Sequence, residues 1–336
     1  MQAFGLDLFT DLEPPGAWKA QREPAGPIPQ PARKPALRLL GVEPKAIAAG
    51  WSGRAGIGWE ATIDGAAFIV ERGRAGDHRF VHGEPPAEDG SPLAGTLAVH
   101  HLSPDARVLR CAPADPADPA WWRVVLDSVL FSVALLHGYE ALHAGALATA
   151  DGDIVAITAG TGGGKSTLVS ELLLRGLTLM ADDVLALEPA RADGASPLAH
   201  PSPPLMTVPS ERVERLREGL ATERSGTRPW GAPARTIAVV EDEHWVAMPV
   251  CSRPLPLRAL VVLDRRAGMA RTSIERDEQA LATLLQGLLR FPRTRERERA
   301  RFELAAQIAE QVPIWRLRAD ASTPPAELAE RLLVRI

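Results

Sequence analysis

One glycine-dense stretch, Ala159-Gly-Thr-Gly-Gly-Gly-Lys-Ser166, constrains this chain of 336 residues more than any other segment. Apolar residues precede it over 154–158, and apolar positions at helical spacing follow it over 166–175. The stretch is therefore predicted to link a strand to a helix that ends before Gly176. Glycines here let successive backbone N–H groups turn around an anion, and the following helix adds the positive end of its dipole. We predict a phosphate-binding loop.

Lysine usage supports this prediction. Only four of the 38 basic residues are lysines, and Lys165 is the only one after Lys45. Because arginine is used elsewhere, this position favours a compact ammonium over the wider guanidinium. The spacing fits the Walker A pattern with alanine in place of the first glycine. We expect Lys165 to bind the β- and γ-phosphates of ATP and Ser166 to bind Mg²⁺, with Thr167 a weaker substitute. The predicted nucleotide-binding residues are Gly160, Thr161, Gly162, Gly163, Gly164, Lys165, Ser166 and Thr167.

Two adjacent carboxylates end the next predicted strand, over 177–181. Asp182 and Asp183 follow Lys165 by the length of one helix, one turn and one strand, which predicts that they lie beside the loop. Carboxylates at this place hold Mg²⁺ in NTPases, and a second one can accept a proton from an attacking hydroxyl. Neighbouring residues of an extended chain point to opposite sides. One aspartate can thus serve the metal and the other the nucleophile. We predict Ser166 and Asp183 as metal ligands, although the residues alone leave the division of roles open.

His143 begins a predicted strand, 142–148, that forms a hairpin with the loop-bearing strand 154–158 through a turn at Asp151-Gly-Asp153. The sequence leaves open whether His143 lies at the same end of the sheet as the loop. A hydrogen-bonded structural histidine is the alternative to a catalytic role.

The rest of the chain suggests three regions. Closely spaced prolines predict an extended leader over 1–45. Short β-type runs predict a small β-rich region over 46–119, and an apolar helix over 121–137 is expected to be buried. The predicted fold class is α/β, with a mixed-sheet catalytic domain over 120–336.

Composition excludes several classes of protein. A net charge of −4 argues against a nucleic-acid-binding surface. The two cysteines indicate neither a disulfide framework nor a zinc site, which favours the reducing cytoplasm. The longest apolar run, 124–136, is shorter than a membrane span, so no membrane partner is predicted. A homo-oligomer is left open.

Other conspicuous residues are given structural roles. Trp121-Trp122 is predicted to pack in the core, His100-His101 lacks metal-ligand spacing, and the arginine-rich run 293–301 is predicted to be a solvated helix face with an anion-binding patch as the alternative. Weaker candidates for the phosphate site are Arg253, Arg258 and Asp264.

Four segments together resemble the catalytic core of HPr serine kinase/phosphorylase. They are Leu142-His-Ala-Gly145, the glycine loop, Leu172-Leu-Leu-Arg-Gly176 and Met180-Ala-Asp-Asp-Val184. The resemblance covers about 140–190. It implies a fold akin to phosphoenolpyruvate carboxykinase and ATP-dependent phosphorylation of a serine hydroxyl. It further implies that Asp182 and Asp183 supply base and metal ligand, and that His143 assists near the phosphoryl group.

The chain departs from that family at Thr167, where glutamate is usual, in a missing downstream signature, and in its N-terminal region. It is therefore more similar to divergent relatives of the family, and a peptide or small protein is the predicted substrate. Two alternatives are a small-molecule kinase on the same scaffold and a regulatory or assembly module that senses ATP without transferring phosphate.

Overall fold

A computed structural model describes residues 2–12, 35–63, 66–84, 95–113, 115–190, 194–222, 235–240, 242–291 and 293–336. Within these ranges the chain forms two compact units. The N-terminal unit comprises described residues up to Gly138 together with 290–298, and the C-terminal unit comprises 139–289 and 299–336. Helices and mixed sheets confirm the predicted α/β class.

The N-terminal unit is built on an eight-stranded sheet with the order β1-β2-β3-β8-β7-β6-β5-β4. Its strands are β1 (Gln2–Ala3), β2 (Leu6–Thr10), β3 (Ala36–Gly41), β4 (Arg54–Ile63), β5 (Ala66–Gly73), β6 (His78–Gly83), β7 (Thr96–Leu102) and β8 (Val108–Cys111). Its helices are α1 (Pro44–Gly50), α2 (Pro119–Val124) and α3 (Leu130–Leu136), with a π-helical segment, Val125–Val129, between the last two.

The structure corrects the leader predicted over 1–45. Strands β1 to β3 lie in this range, and the proline-dense residues 13–34 are outside the described residues. Leu37 and Leu39 alternate with exposed neighbours and are fully buried, so β3 has the period-two pattern of a strand with one apolar face. The leader prediction weighted the prolines and missed this pattern.

The predicted boundary at 119/120 also differs from the division between the units, which falls after Gly138. The helical segment starting at Pro119 belongs to the N-terminal unit. Asp118 caps its start by accepting a hydrogen bond from the Ala120 N–H at 2.9 Å. By length and composition Pro119–Leu136 is apolar enough to cross a membrane, but 72% of it is buried, as expected for a core helix.

The C-terminal unit contains a nine-stranded mixed sheet and a three-stranded sheet. Its strands are β9 (Glu140–His143), β10 (Gly145–Ala148), β11 (Ile154–Ala159), β12 (Thr178–Ala181), β13 (Val184–Glu188), β14 (Leu198–His200), β15 (Leu205–Pro209), β16 (Arg235–Val240), β17 (Glu243–Ala247), β18 (Leu255–Arg266), β19 (Ser273–Arg276) and β20 (Ile314–Asp320). Its helices are α4 (Lys165–Leu173), α5 (Ser210–Thr222), α6 (Ala280–Gly287), α7 (Arg295–Gln311) and α8 (Pro325–Leu333), and residues 295–298 of α7 belong to the N-terminal unit.

Three neighbouring strands of the larger sheet run parallel to one another. Strand β18 pairs in parallel with β11 on one side and with β20 on the other, so the carboxyl ends of all three meet at the same edge. Both faces of β11 are covered. Val155 and Ile157 pack in the apolar cluster that includes α4, whereas Ala156 packs in the cluster that includes Ile308 of α7. This two-sided burial explains the continuous apolar run before the glycine loop.

Candidate active site

The glycine loop is a tight turn between β11, which ends at Ala159, and α4, which begins at Lys165. Gly162 and Gly164 have φ angles of 70° and 89°, a region that favours glycine. The Gly163 N–H donates to the Gly160 carbonyl at 2.8 Å and closes the turn. Left-handed residues alternating with ordinary ones form the concave arrays of N–H groups that bind anions. The strand–loop–helix context predicted from the sequence is present.

Lys165 is held at the base of this loop. It is 8% exposed, and its Nζ donates to the main-chain oxygen of Asp182 at 3.2 Å and to a carboxylate oxygen of Asp183. The loop's lysine thus contacts the carboxylate of Asp183 and the main chain of Asp182. Leu147 of β10 pairs with Leu179 of β12, which brings the end of β12 next to the loop-bearing hairpin.

Asp183 lies between two cationic or titratable partners. Its Oδ1 accepts from Lys165, and its Oδ2 lies 3.3 Å from Nδ1 of His143. Burial acts to raise the pKa of Asp183, but the hydrogen bond from His143 and the charge of Lys165 outweigh it and hold that pKa below its usual range. The side chain is 58% exposed, so an ionised carboxylate faces solvent beside the loop.

Asp182 has a different environment. Its Oδ2 accepts the backbone N–H of Thr207 at 2.8 Å, while its Oδ1 is buried and has no hydrogen-bond partner within the described residues. Burial raises the pKa of Asp182 to about 6, against the opposing charge of Lys165. The two neighbouring aspartates therefore differ in proton affinity, and they lie in a bend between β12 and β13 rather than on the extended chain that was predicted.

His143 reaches the site by a different path from the predicted one. It ends β9, which pairs with β13 in the register His143 to Val184, and the hairpin strand β10 starts only at Gly145. The prediction that His143 begins the hairpin strand is wrong, because the chain passes from one strand pairing to another at Ala144. The Ala144 N–H donates to the Asp183 carbonyl at 2.9 Å, which fixes His143 at the same end of the sheet as the loop.

Gly145 explains why glycine follows this histidine. A Cβ atom on Gly145 would lie 2.7 Å from Cγ2 of Val169 and 2.9 Å from the main-chain oxygen of Asp182. Glycine therefore lets β10 approach both α4 and the aspartate pair closely. A glycine after a histidine has no local sequence signal that would predict this close approach.

The sequence analysis missed Arg265. Ala159 pairs with Leu263 in the parallel ladder of β11 and β18, so Arg265 lies just beyond the edge where the loop begins. Its Nη1 is 3.0 Å from the position that a Cβ on Gly164 would occupy. Its Nη2 donates to Ala321 O and Thr323 O, whereas its Nε is buried without a partner in the described chain. A basic residue at the carboxyl end of a central parallel strand was the signal available in the sequence.

The remaining predicted loop residues lie where expected. Ser166 and Thr167 are in the first turn of α4, and Thr161 is exposed in the turn itself.

Asp264 pairs with Arg266 at 2.7 Å, and Arg258 lies 3.9 Å from Asp153 at the opposite end of β18. Arg253 is exposed and has no ion pair with any described residue.

The residues given structural roles are mostly buried. Trp121 and Trp122 are 6% and 1% exposed, with ring centroids 4.8 Å apart. His101 lies 3.0 Å from Asp77, and burial lowers the pKa of His100 to about 3. In the arginine-rich run Arg299 pairs with Glu303 at 2.7 Å as the solvated-face prediction requires. Arg301, by contrast, is buried against Glu140.

Comparison with known proteins gives limited information. No protein-family model and no curated protein matches the chain. Among solved structures it is similar to the HPr(Ser) kinase/phosphatase from Coxiella burnetii, with 12% identity, 58% of this chain and 97% of that chain covered, and a TM-score of 0.28. At this overlap the likeness assigns no residue of this chain a role.

Proposed function

We propose that this protein is an ATP-dependent kinase with a P-loop core akin to HPr kinase and phosphoenolpyruvate carboxykinase, and that it phosphorylates a hydroxyl group. The observation that carries the proposal is the contact of Lys165, from the glycine loop, with Asp183, which in turn contacts His143. A phosphate-binding turn, a cation and an ionised carboxylate together provide what phosphoryl transfer requires, namely positioning and charge neutralisation.

The donor atoms suit Mg²⁺ and a triphosphate. Mg²⁺ prefers oxygen ligands and keeps several waters, so one or two protein oxygens suffice. The Ser166 hydroxyl and the Asp183 carboxylate, whose pKa is depressed, would supply them. The glycine turn 160–164, with positive φ at two positions, would bind the phosphates through its N–H groups. Bound Mg²⁺ would neutralise charge on the β- and γ-phosphates.

Asp182 is proposed as the general base. A base works best when its pKa is near the working pH, and a pKa of about 6 suits this role better than the lowered pKa of Asp183. In the step we propose, the acceptor oxygen forms a bond to the γ-phosphorus while the bond between that phosphorus and the bridging β–γ oxygen breaks. The acceptor's proton passes to Asp182, and ADP leaves with the bridging oxygen.

Two further side chains are proposed to neutralise charge in this step. Lys165 would contact the β- and γ-phosphates, and Arg265, beside Gly164, is close enough to the loop to contact the same anion. His143 would hold Asp183 in place through the 3.3 Å contact and assist near the transferred group.

The proposed acceptor is a serine hydroxyl of a peptide or small protein in the cytoplasm, without a nucleic-acid or membrane partner. This choice comes from the resemblance of segments 142–145, 159–166, 172–176 and 180–184 to the kinase family.

Phosphate transfer from γ-³²P-labelled ATP and Mg²⁺ to peptides encoded by neighbouring genes tests the proposal. Lys165→Ala and Asp182→Asn are each expected to lower the rate at least about 100-fold. Lys45→Ala is the matched control, because Lys45 is the other described lysine and is exposed on α1 of the N-terminal unit. Unchanged transfer by Lys165→Ala would contradict the mechanism.

A nucleotide sensor is the second candidate function. It is favoured by one observation, the engagement of the Asp182 carboxylate with the Thr207 N–H. In equilibrium dialysis, a sensor would bind Mg·ATP with an affinity that Lys165→Ala lowers. Asp182→Asn would leave that affinity unchanged. No acceptor would become labelled.

A further inference from the structure

The N-terminal unit has an open sheet edge. Strand β4 is the last strand in the order β5-β4, and no other strand pairs with its outer side among the described residues. An edge strand presents backbone N–H and C=O groups that an added strand can bind. Most residues of β4 with described side chains are partly or fully exposed, and Ile57 is 55% exposed.

A groove of about 540 Å³ includes residues 56–60 of this edge strand and extends across the neighbouring strands to Arg72 of β5 and His78 of β6. The volume is in the range typical of ligand pockets. Its apolar side is formed by Trp59, Leu136 and Phe291, and the Trp59 and Phe291 rings are 6.0 Å apart. Gly56 leaves room in the groove, because a Cβ at this position would meet no atom within 4 Å. All residues lining the groove belong to the N-terminal unit.

The charge at the groove favours an acidic ligand. Arg72 and Arg293 line it, both are exposed, and neither forms an ion pair with another described residue. Glu60 is the acidic residue among the described residues that line the groove. His78 adds no charge near neutral pH, because burial and Arg72 outweigh Asp77 and lower its pKa. Unpaired arginines recognise carboxylates well since their N–H groups match the two oxygens.

We propose that this edge and groove bind an extended acidic peptide by strand addition. The peptide backbone would pair with β4, an apolar side chain would occupy the space above Gly56 against Trp59 and Phe291, and carboxylates would contact Arg72 and Arg293. A peptide fits better than a compact anion because the edge offers main-chain hydrogen bonds along several residues. The proposal depends on the N-terminal unit alone and holds whether or not the protein is a kinase.

Three fluorescein-labelled decapeptides serve as probes in anisotropy titrations of the full chain. The first alternates aspartate and leucine, the second replaces every aspartate with lysine, and the third replaces every leucine with proline. The acidic leucine peptide is expected to bind at least about tenfold more tightly than either analogue. Equal binding of the aspartate and lysine peptides would overturn the charge argument, and equal binding of the proline peptide would overturn strand addition.

Variants locate the binding. Gly56→Leu fills the groove and is expected to weaken the acidic peptide at least about tenfold, whereas Gly56→Ala should have a small effect. The double variant Arg72→Glu/Arg293→Glu should lower the affinity for the acidic peptide at least as much as Gly56→Leu does. Arg74→Glu is the matched control, because Arg74 is exposed in the turn after β5 but does not line the groove. Thermal unfolding checks the fold of each variant, and the charge variants test the site if Gly56→Leu does not fold.

Two results would overturn the proposal. One is unchanged affinity in the double charge reversal. The other is a concentration-dependent dimer, seen by sedimentation, that Gly56→Leu disperses and the acidic peptide does not compete with. That outcome would assign the edge to a second copy of the chain.

Discussion

Asp182 and Asp183 are adjacent, yet their surroundings move their proton affinities in opposite directions. Asp182 has a buried oxygen that finds no hydrogen-bond partner in the described part of the chain, and Asp183 contacts Lys165 and His143. The folded chain therefore binds the proton of Asp182 more tightly than the unfolded chain does, and that of Asp183 less tightly. Each pKa difference between the folded and unfolded chain makes the free energy of unfolding depend on pH, and the two aspartates predict dependences in opposite directions.

Asp182→Asn is expected to stabilise the protein above about pH 7. The pKa of Asp182 rises to about 6 on folding. The contribution of this carboxyl group to the free energy of unfolding is therefore fully present below about pH 4 and is lost as the pH rises through about 6. Asparagine avoids this loss and can still accept the Thr207 N–H. Urea unfolding should show a gain of about 1–3 kcal/mol at about pH 8 and none at about pH 4. A less stable variant at the higher pH would contradict the assignment.

Asp183→Asn is expected to act in the opposite direction. The pKa of Asp183 is lowered on folding. The contribution of its carboxylate to the free energy of unfolding is therefore present above about pH 4 and is lost as the pH falls through the folded-state pKa. The substitution leaves Lys165, which is 8% exposed, without its countercharge. The free energy of unfolding near pH 7 should drop by about 1–2 kcal/mol. The companion variant Asp182→Asn is the control, since it has the same change in charge and shape.

The sequence could predict which residues form this site but not how their roles divide. The spacing from Lys165 to the aspartates fixes one helix, one turn and one strand, so their proximity follows from local rules. The Thr207 N–H comes from β15, which pairs with β17 rather than with any strand of the larger sheet. No local pattern predicts such a contact between distant segments, and it is one of the interactions that separates Asp182 from Asp183.

At the scale of elements, β10 and α4 approach each other closely at Gly145. A methyl group there would meet Val169 and the Asp182 carbonyl, so Gly145→Ala is expected to cost about 1–3 kcal/mol of stability. It should also lower phosphate transfer by displacing the aspartates. Gly160→Ala is the control, because a Cβ on Gly160 would meet no atom within 4 Å and its stability should change by less than about 0.5 kcal/mol. Equal stability of the two variants would show that the close approach is unimportant.

Elements with strong local periodicity could be predicted, and elements defined by pairing could not. Helix α4 has apolar positions at helical spacing and strand β11 has an apolar run, and the predicted ranges 166–175 and 154–158 lie within two residues of the observed bounds. Strand β9 has only four residues, and its position is set by pairing with β13, which is far from it in the sequence. The hairpin prediction for His143 was wrong because the turn signal at 151–153 identified β10 and β11 but said nothing about the preceding residues.

At the scale of the whole molecule, the N-terminal unit includes residues 290–298 as well as the first part of the chain. The leader and boundary predictions missed this arrangement because they read the chain as consecutive segments. A segment far along the sequence joins the unit through the side chains that it contributes to an apolar cluster. Phe291 is such a residue, with a ring 6.0 Å from that of Trp59.

Phe291→Ala is expected to destabilise the protein by about 3–5 kcal/mol, because Phe291 is 1% exposed and its removal leaves a cavity beside Trp59. Phe302→Ala is the matched control. Phe302 is also on the C-terminal side of the chain but is 51% exposed, so its loss should change stability by less than about 0.5 kcal/mol. Urea unfolding followed by tryptophan fluorescence, to which Trp59 is one of eight contributing residues, measures the difference. If both variants unfold at the same midpoint as the wild type, residues 290–298 do not stabilise the N-terminal unit.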